Sequence, residues 1–497
     1  MPVPTRTLPL AEQLRRRKPI VFRDHHHEGE ELKRGITTFQ LTMFGVGATV
    51  GTGIFFVLGE AVPKAGPAVL VSFIIAGIAA GLSAICYAEL ASAIPVSGST
   101  YSYAYHALGE LVAVIIAGCV LLEYGVATGA VAVGWSGYFN ELTDSLFGVR
   151  LPQALSVSPI PGLDGEPTGG LVNLPAVVLV LLCMLLLLRG VSESARMNAI
   201  MVLIKLGVLV LFVVLGLTAF KADHFDNFFA SGFGGISAAA GTIFFSFIGL
   251  DAVATAGEEV KNPQKALPRA IIGALIIVTS VYVLVALAGI AAKPVDFFSS
   301  PEAAEAGLAQ ILKDITGSSV WSTILAAGAV ISIFSVTLVT LYGQTRILFA
   351  IGRDGLVPRN FTKVDPKTMT PRYNTIVVAI VIALIGGFVP DDYLWDTVSI
   401  GTLVAFSVVA LGIIVMRRTH PDLERPFKVP GYPVTPVLTI LACAYILWGL
   451  HWTTWVIFTV WIAIVIGFYL LWGRRHAVLN TMTDLEQIAE PRGDEDE

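Results

Sequence analysis

The sequence predicts an all-α polytopic membrane protein of twelve helices, arranged as two inverted sets of five followed by a final pair. Three observations predict it. The 497 residues are 55% hydrophobic and 14% charged, with a mean hydropathy of +0.75, whereas a soluble domain carries about 25% charged residues. Apolar stretches of the roughly 20 residues needed to cross a bilayer recur twelve times. The first and sixth of them are interrupted at mid-depth.

The first interruption is Gly45-Val46-Gly47-Ala48-Thr49-Val50-Gly51-Thr52-Gly53. Lipid cannot satisfy free backbone N–H and C=O groups, so a spanning helix should be continuous. Four glycines in nine residues work against continuity and permit close backbone approach. One reading is a broken helix. Its outer half would offer N–H groups to an anion, and its inner half would offer carbonyls to a cation. The competing reading is a glycine face for tight helix packing. The sixth span carries Phe245-Ser246-Phe247-Ile248-Gly249-Leu250-Asp251, again small and polar residues at depth. Spans one and six each open a set of five, and five is odd, so the second set enters with opposite orientation. Paired interruptions at matching places in inverted halves point to a transporter's central site.

The twelve spans fall at about 37–58, 67–93, 99–132, 173–190, 196–220, 234–256, 268–292, 319–350, 373–390, 395–416, 434–451 and 453–473. The corresponding division is a tail at 1–35, repeats at 36–220 and 221–418, a helix pair at 419–473 and a tail at 474–497. With the first tail inside, inner segments hold 25 of the 32 Lys and Arg residues, outer ones hold 5, and Lys205 and Arg346 lie within spans. That bias puts both termini in the cytoplasm and the chain in the cell membrane as a multi-pass protein. The polar, basic first 37 residues do not read as a cleavable signal. Arg15-Arg16-Arg17-Lys18 reads as a topology signal that could also touch anionic lipid. His25-His26-His27 lacks nearby partners to complete a metal site, and Cys86, Cys119, Cys183 and Cys443 all fall in apolar spans without ligand spacing. No bound metal is expected.

Five motifs in order carry a family resemblance. They are Gly51-Thr52-Gly53-Ile54-Phe55, Pro95-Val96-Ser97-Gly98-Ser99-Thr100-Tyr101, Phe247-Ile248-Gly249-Leu250-Asp251, Glu258-Glu259-Val260-Lys261-Asn262-Pro263 with Pro268, and Arg353-Asp354-Gly355-Leu356-Val357-Pro358. Over roughly residues 35–475 the chain resembles the APC superfamily of amino acid permeases, most closely the bacterial cationic amino acid transporter branch. Ser99 departs from the second glycine of many members. The resemblance implies the LeuT-like fold, with alternating access around a central site. It implies that Thr52 and Gly53, with Gly51, meet the substrate carboxylate, and that the carbonyls of Thr49, Phe245 and Ile248 meet its ammonium. It places Ala127, Thr128 and Thr340 at the side-chain pocket. Phe245 is also a candidate gate.

Ionisable residues at membrane depth are costly and default to functional hypotheses. Glu89 and Arg346 lie nearer the inner ends, facing headgroups or each other. Glu123 and Asp251 are deeper, and either could hold a cationic side chain, take a proton or hydrogen-bond within the bundle. Lys205 follows Arg196 by nine residues, roughly 13 Å along a helix, too deep to snorkel easily. A lysine there can exchange a proton. In similar proton-coupled permeases a fifth-helix lysine matches Lys205, its ammonium standing where sodium-coupled relatives bind Na⁺ between helices one, five and eight.

The expected function is therefore proton-coupled symport of basic or small neutral amino acids, with exchange of amino acids as the alternative. A non-transporting amino acid sensor would need a soluble signalling domain, for which tails of about 35 and 24 residues are short. No catalytic motif suggests an enzyme. No cofactor is expected beyond the proton gradient. The expected partners are the amino acid, the lipid bilayer and, as a further candidate, a small peripheral membrane protein, with no nucleic acid.

Overall fold

A computed structural model describes residues 9–19, 34–96, 99–161, 168–299, 301–448 and 452–480. A helix or broken helix stands at each of the twelve expected places. The first span is split into α1a (Thr38–Thr49) and α1b (Thr52–Ala65). It is followed by α2 (Val69–Ala93), α3 (Glu110–Phe147), α4 (Leu174–Leu188) and α5 (Val191–Thr218). The sixth is split into α6a (Gly232–Phe244) and the single turn α6b (Ala252–Thr255). Then come α7 (Pro263–Ala292), α8 (Ser319–Arg353), α9 (Arg372–Phe388), α10 (Asp391–Thr419), α11 (Val434–Trp448) and α12 (Trp452–Phe468). Among the described residues, seven helices are long and apolar enough to cross a membrane on their own, and four more are apolar but shorter.

Helices related by the expected repeat pack on each other: α2 on α7, α3 on α8 and α4 on α9. The cross-pairs also match, since α5 packs on α8 and α10 packs on α3. This is the LeuT-like arrangement that the resemblance implied.

One boundary is corrected. The third span does not begin at 99. Ser99–Ala107 is a separate helix, and α3 starts at Glu110 after Gly109, whose φ of +106° suits glycine. Gly109 also has the carbonyl of Arg15 where a side chain would go, 2.9 Å from an added Cβ. Residues 9–19 thus pack into the fold, at the same end of the bundle as residues 474–480. That end is called the tail end below.

Local chemistry sets the start of α1a. Thr37 caps it, accepting from the Gln40 N–H at 3.3 Å, while the Gln40 side chain accepts from the Thr37 N–H at 3.0 Å. Such reciprocal capping satisfies two of the orphan donors of a helix start.

Candidate functional site

The first glycine run both breaks the helix and packs it. The break falls at Val50 and Gly51, and the glycines also mark close approaches. An added Cβ would stand 2.7 Å from Ala274 and Val253 at Gly45, 2.9 Å from Asn198 at Gly47, 2.7 Å from Val336 at Gly51 and 2.7 Å from Ser246 at Gly53. The broken span is therefore gripped by α5, α6, α7 and α8 along its length. At the second break Gly249 has φ +104°, and its Cα faces the Ala48 carbonyl, 2.9 Å from where a Cβ would lie.

Carbonyls released by a break at membrane depth each cost several kcal/mol if left unpaired. The structure pairs them with three side chains. Lys205 Nζ donates to the carbonyls of Gly47 at 3.0 Å and Val50 at 2.5 Å. Ser332 of α8 donates to the same Val50 carbonyl at 3.1 Å. The Tyr282 hydroxyl of α7 sits between the breaks, 2.9 Å from the Thr49 carbonyl and 3.0 Å from that of Ser246. The Lys205 side chain is fully buried. Its two hydrogen-bond partners among the described residues are carbonyl oxygens, so Nζ is held by backbone dipoles.

A cavity of about 60 Å³ lies between the two breaks. Gly51 and Gly53 line it, as do Thr49, Ile248, Ala127 and Thr340. Gly51 is the N-cap residue of α1b and no side chain caps that helix, so the first N–H groups of α1b have no partner within the helix. Val131, Val336 and Val398 add apolar wall, Tyr124 and Ser246 add polar atoms, and Glu123 is the carboxyl residue among the described lining residues. The side chains of Thr52 and Phe245 lie outside the described part of the structure, as does the His25-His26-His27 run.

The expected pocket residue Thr128 and the candidate charge partner Asp251 do not line the cavity. Thr128 is behind the wall: it is fully buried, and its hydroxyl donates to the Tyr124 carbonyl at 2.6 Å and lies 2.8 Å from that of Thr340. Ala127 lines the cavity, and Thr128, one residue on and turned about 100° away, does not. Asp251 is beside the cavity, where the Tyr124 hydroxyl donates to its Oδ2 at 2.6 Å and its Oδ1 is buried without a hydrogen bond.

Glu89 and Arg346 face neither headgroups nor each other. Glu89 accepts from Arg417 at 2.6 and 2.9 Å and from the Val429 N–H at 2.6 Å. Arg346 of α8 pairs with Glu259, just beyond α6b, and lies over the Tyr342 ring at 4.4 Å. Two turns further on, Arg353 donates to Glu258 at 2.8 Å. The Glu259 carbonyl also accepts from the N–H groups of Gly35 and Ile36, both at 3.0 Å. These contacts tie α8 and residues 35–36 to the segment after α6b, on the tail-end side of Thr340.

Sequence reasoning missed Tyr282, Ser332 and Asn198. Asn198 had a usable signal, because it lies seven residues before Lys205 and so on the same helical face. The four cysteines are free and buried.

The sequence matches a family model described as amino acid permease over residues 36–470. It is 40% identical to the methylthioribose transporter of Bacillus subtilis (strain 168), over 94% of this chain and 99% of that one. It is 43% identical to the branched-chain amino acid permease BcaP of the same organism, over 91% of this chain and 95% of that one. The vacuolar cationic amino acid transporter 2 of Arabidopsis thaliana is 36% identical, over 83% of this chain and 64% of that one.

Proposed function

From the premise that this chain belongs to the amino acid permease family, and is an integral membrane transporter rather than an enzyme, we propose that it carries neutral amino acids with aliphatic side chains across the cell membrane in symport with protons. The observation that carries the coupling is the buried Lys205 side chain on the carbonyls of Gly47 and Val50 at the α1 break, the latter between Thr49 and Gly51 of the cavity wall. Protonated, it ties α5 to α1 at the substrate site. Deprotonated, it loses the charge that makes those bonds strong, and α1a can move. The proton and the amino acid then act as two ligands of one conformational equilibrium. The gradient is the energy source, and no cofactor takes part.

In this reading the amino acid carboxylate meets the N–H groups of Gly51 to Gly53 and the Thr52 hydroxyl, at the start of α1b. Its ammonium meets the carbonyls of Thr49, Phe245 and Ile248, with Tyr282 sharing the Thr49 carbonyl. The aliphatic side chain lies against Ala127, Val131, Val336 and Val398. The apolar wall supports this class of substrate, as does the relative named for branched-chain amino acids. The basic-residue bias supports a tail end that faces the cytoplasm. Residues 36–220 and 221–418 form the inverted halves that work against each other, within the bilayer and with a small peripheral protein as a candidate companion.

Glu123 favours a second reading. A carboxyl group on the cavity wall, with Asp251 nearby, could hold a basic side chain. One experiment separates these readings: uptake of labelled leucine, alanine, arginine and methylthioribose into proteoliposomes, with and without an acid-outside gradient. Gradient-driven leucine accumulation is expected. Accumulation of arginine alone would favour the second reading, and uptake only against preloaded amino acid would identify an exchanger.

A further inference from the structure

Asn198 and Lys205 project from one face of α5, two turns apart. Both are fully buried. Asn198 Nδ2 donates to the Met43 carbonyl of α1a at 3.2 Å, and its Oδ1 accepts from the Ser335 hydroxyl of α8 at 2.7 Å. It reaches that far because Gly47 has no side chain; a Cβ there would stand 2.9 Å from Oδ1 and 3.0 Å from Nδ2. Two clasps therefore act along α1a. Lys205 holds its end at the break, and Asn198 holds its middle, nearer the tail end. The two differ chemically, since an ammonium can lose its proton and an amide cannot titrate.

We propose that Asn198 is a positioning residue that docks α1a against α8 and makes release to the cytoplasm wait for deprotonation of Lys205. The proposal rests on the proton-coupled reading above. With both clasps closed, α1a stays docked. When Lys205 loses its proton, only the neutral bonds of Asn198 remain, and these are weak enough to break in each cycle. Without Asn198, the middle of α1a is released while Lys205 is still charged. The tail-end route then opens out of step with the proton, and substrate leaks down its own gradient. Asn198 touches neither substrate nor proton in this scheme, so substrate affinity is set elsewhere.

The test compares wild type, Asn198→Ala and Ser335→Ala in proteoliposomes. Three quantities are read: downhill amino acid flux at equal pH, the stimulation of accumulation by an acid-outside gradient, and substrate affinity from thermal stabilisation. Asn198→Ala should keep its affinity within about twofold and keep or raise its downhill flux. Its gradient stimulation should fall about fivefold to tenfold, the scale set by neutral hydrogen bonds. Ser335→Ala removes one of the two bonds and should move the same way by less. Wild-type stimulation in Asn198→Ala would overturn the role, as would parallel loss of affinity and downhill flux. If Asn198→Ala does not fold, wild-type stimulation in Ser335→Ala overturns it. Wild-type protein that ignores the gradient would overturn the proton reading itself, a distinct result.

Discussion

At the scale of single residues, three ionisable side chains at or near the cavity, Lys205, Glu123 and Asp251, have separable consequences. Lys205→Ala removes the donor on the Gly47 and Val50 carbonyls. Hydrogen bonds to a charged group contribute about 1.5–3 kcal/mol each, so a fixed tie between α5 and α1 is lost. Acid-outside accumulation in proteoliposomes should vanish, while substrate binding, which in the proposed reading uses the start of α1b, should survive in part. Accumulation at the wild-type level would remove Lys205 from the coupling mechanism. Glu123 and Asp251 test substrate charge. If Glu123→Gln and Asp251→Asn leave the preference between arginine and alanine unchanged in a competition assay, neither carboxylate is a counter-charge. For an aliphatic substrate that unchanged preference is the expected outcome. Lys205 was legible in the sequence because a lone cation inside an apolar span is rare. The separation of Ala127 from Thr128 was not, since it depends on the rotation of α3.

At the scale of elements, the breaks in α1 and α6 were legible because clustered glycine and polar residues weaken an unbroken helix at membrane depth. Their partners were not. A tyrosine in an apolar helix, such as Tyr282, usually signifies packing, and only the fold brings its hydroxyl to both breaks at once. The ion pairs beyond α6b were hidden for the same reason, since Arg346 and Glu259 are 87 residues apart. Tyr282→Phe is the direct test of the shared support. It keeps the ring, which packs edge-on against Phe73 and Phe247, and removes the hydroxyl. The carbonyls of Thr49 and Ser246 then lose a buried donor, at a cost of about 1–3 kcal/mol. Thermal unfolding in detergent should fall by several degrees, and the substrate-induced rise in unfolding temperature should shrink. An unchanged rise would show that the breaks keep their geometry without Tyr282.

At the scale of the whole molecule, residues 16–18 and 478–480 meet at one cluster built on the buried Glu110 and Asp354. Glu110, fully buried at the start of α3, pairs with Arg16 and accepts from the hydroxyls of Tyr105 at 3.0 Å and Tyr469 at 2.6 Å. Asp354, at the end of α8, accepts from Lys18 and from the Tyr101 hydroxyl, both at 2.6 Å, and its carbonyl accepts from the Val478 N–H at 2.9 Å. Arg16 also donates to Asn480 at 2.8 Å. His106 lies beside this clamp, its Nδ1 2.8 Å from the Lys18 carbonyl. A carbonyl only accepts, so the neutral ring carries its proton on Nδ1. Burial, and then the nearby Lys18 charge, push the His106 imidazole down to about 4. The unfolded chain would titrate near 6.5. The folded value is the lower one, so the unfolded state binds the extra proton first as pH falls. This contribution to stability is complete above about pH 6.5 and is lost progressively toward pH 4. At about 1.4 kcal/mol per pH unit between those values, the ceiling is roughly 3 kcal/mol. Other groups titrate in the same window, so the measurement must be a difference. His106→Asn keeps an N–H donor for the Lys18 carbonyl and cannot titrate. Unfolding temperatures of both proteins in detergent, from pH 7.5 to 4.5, should show wild type losing ground to the variant steadily below pH 6.5. A gap that stays constant with pH would mean that the clamp does not sense the His106 proton.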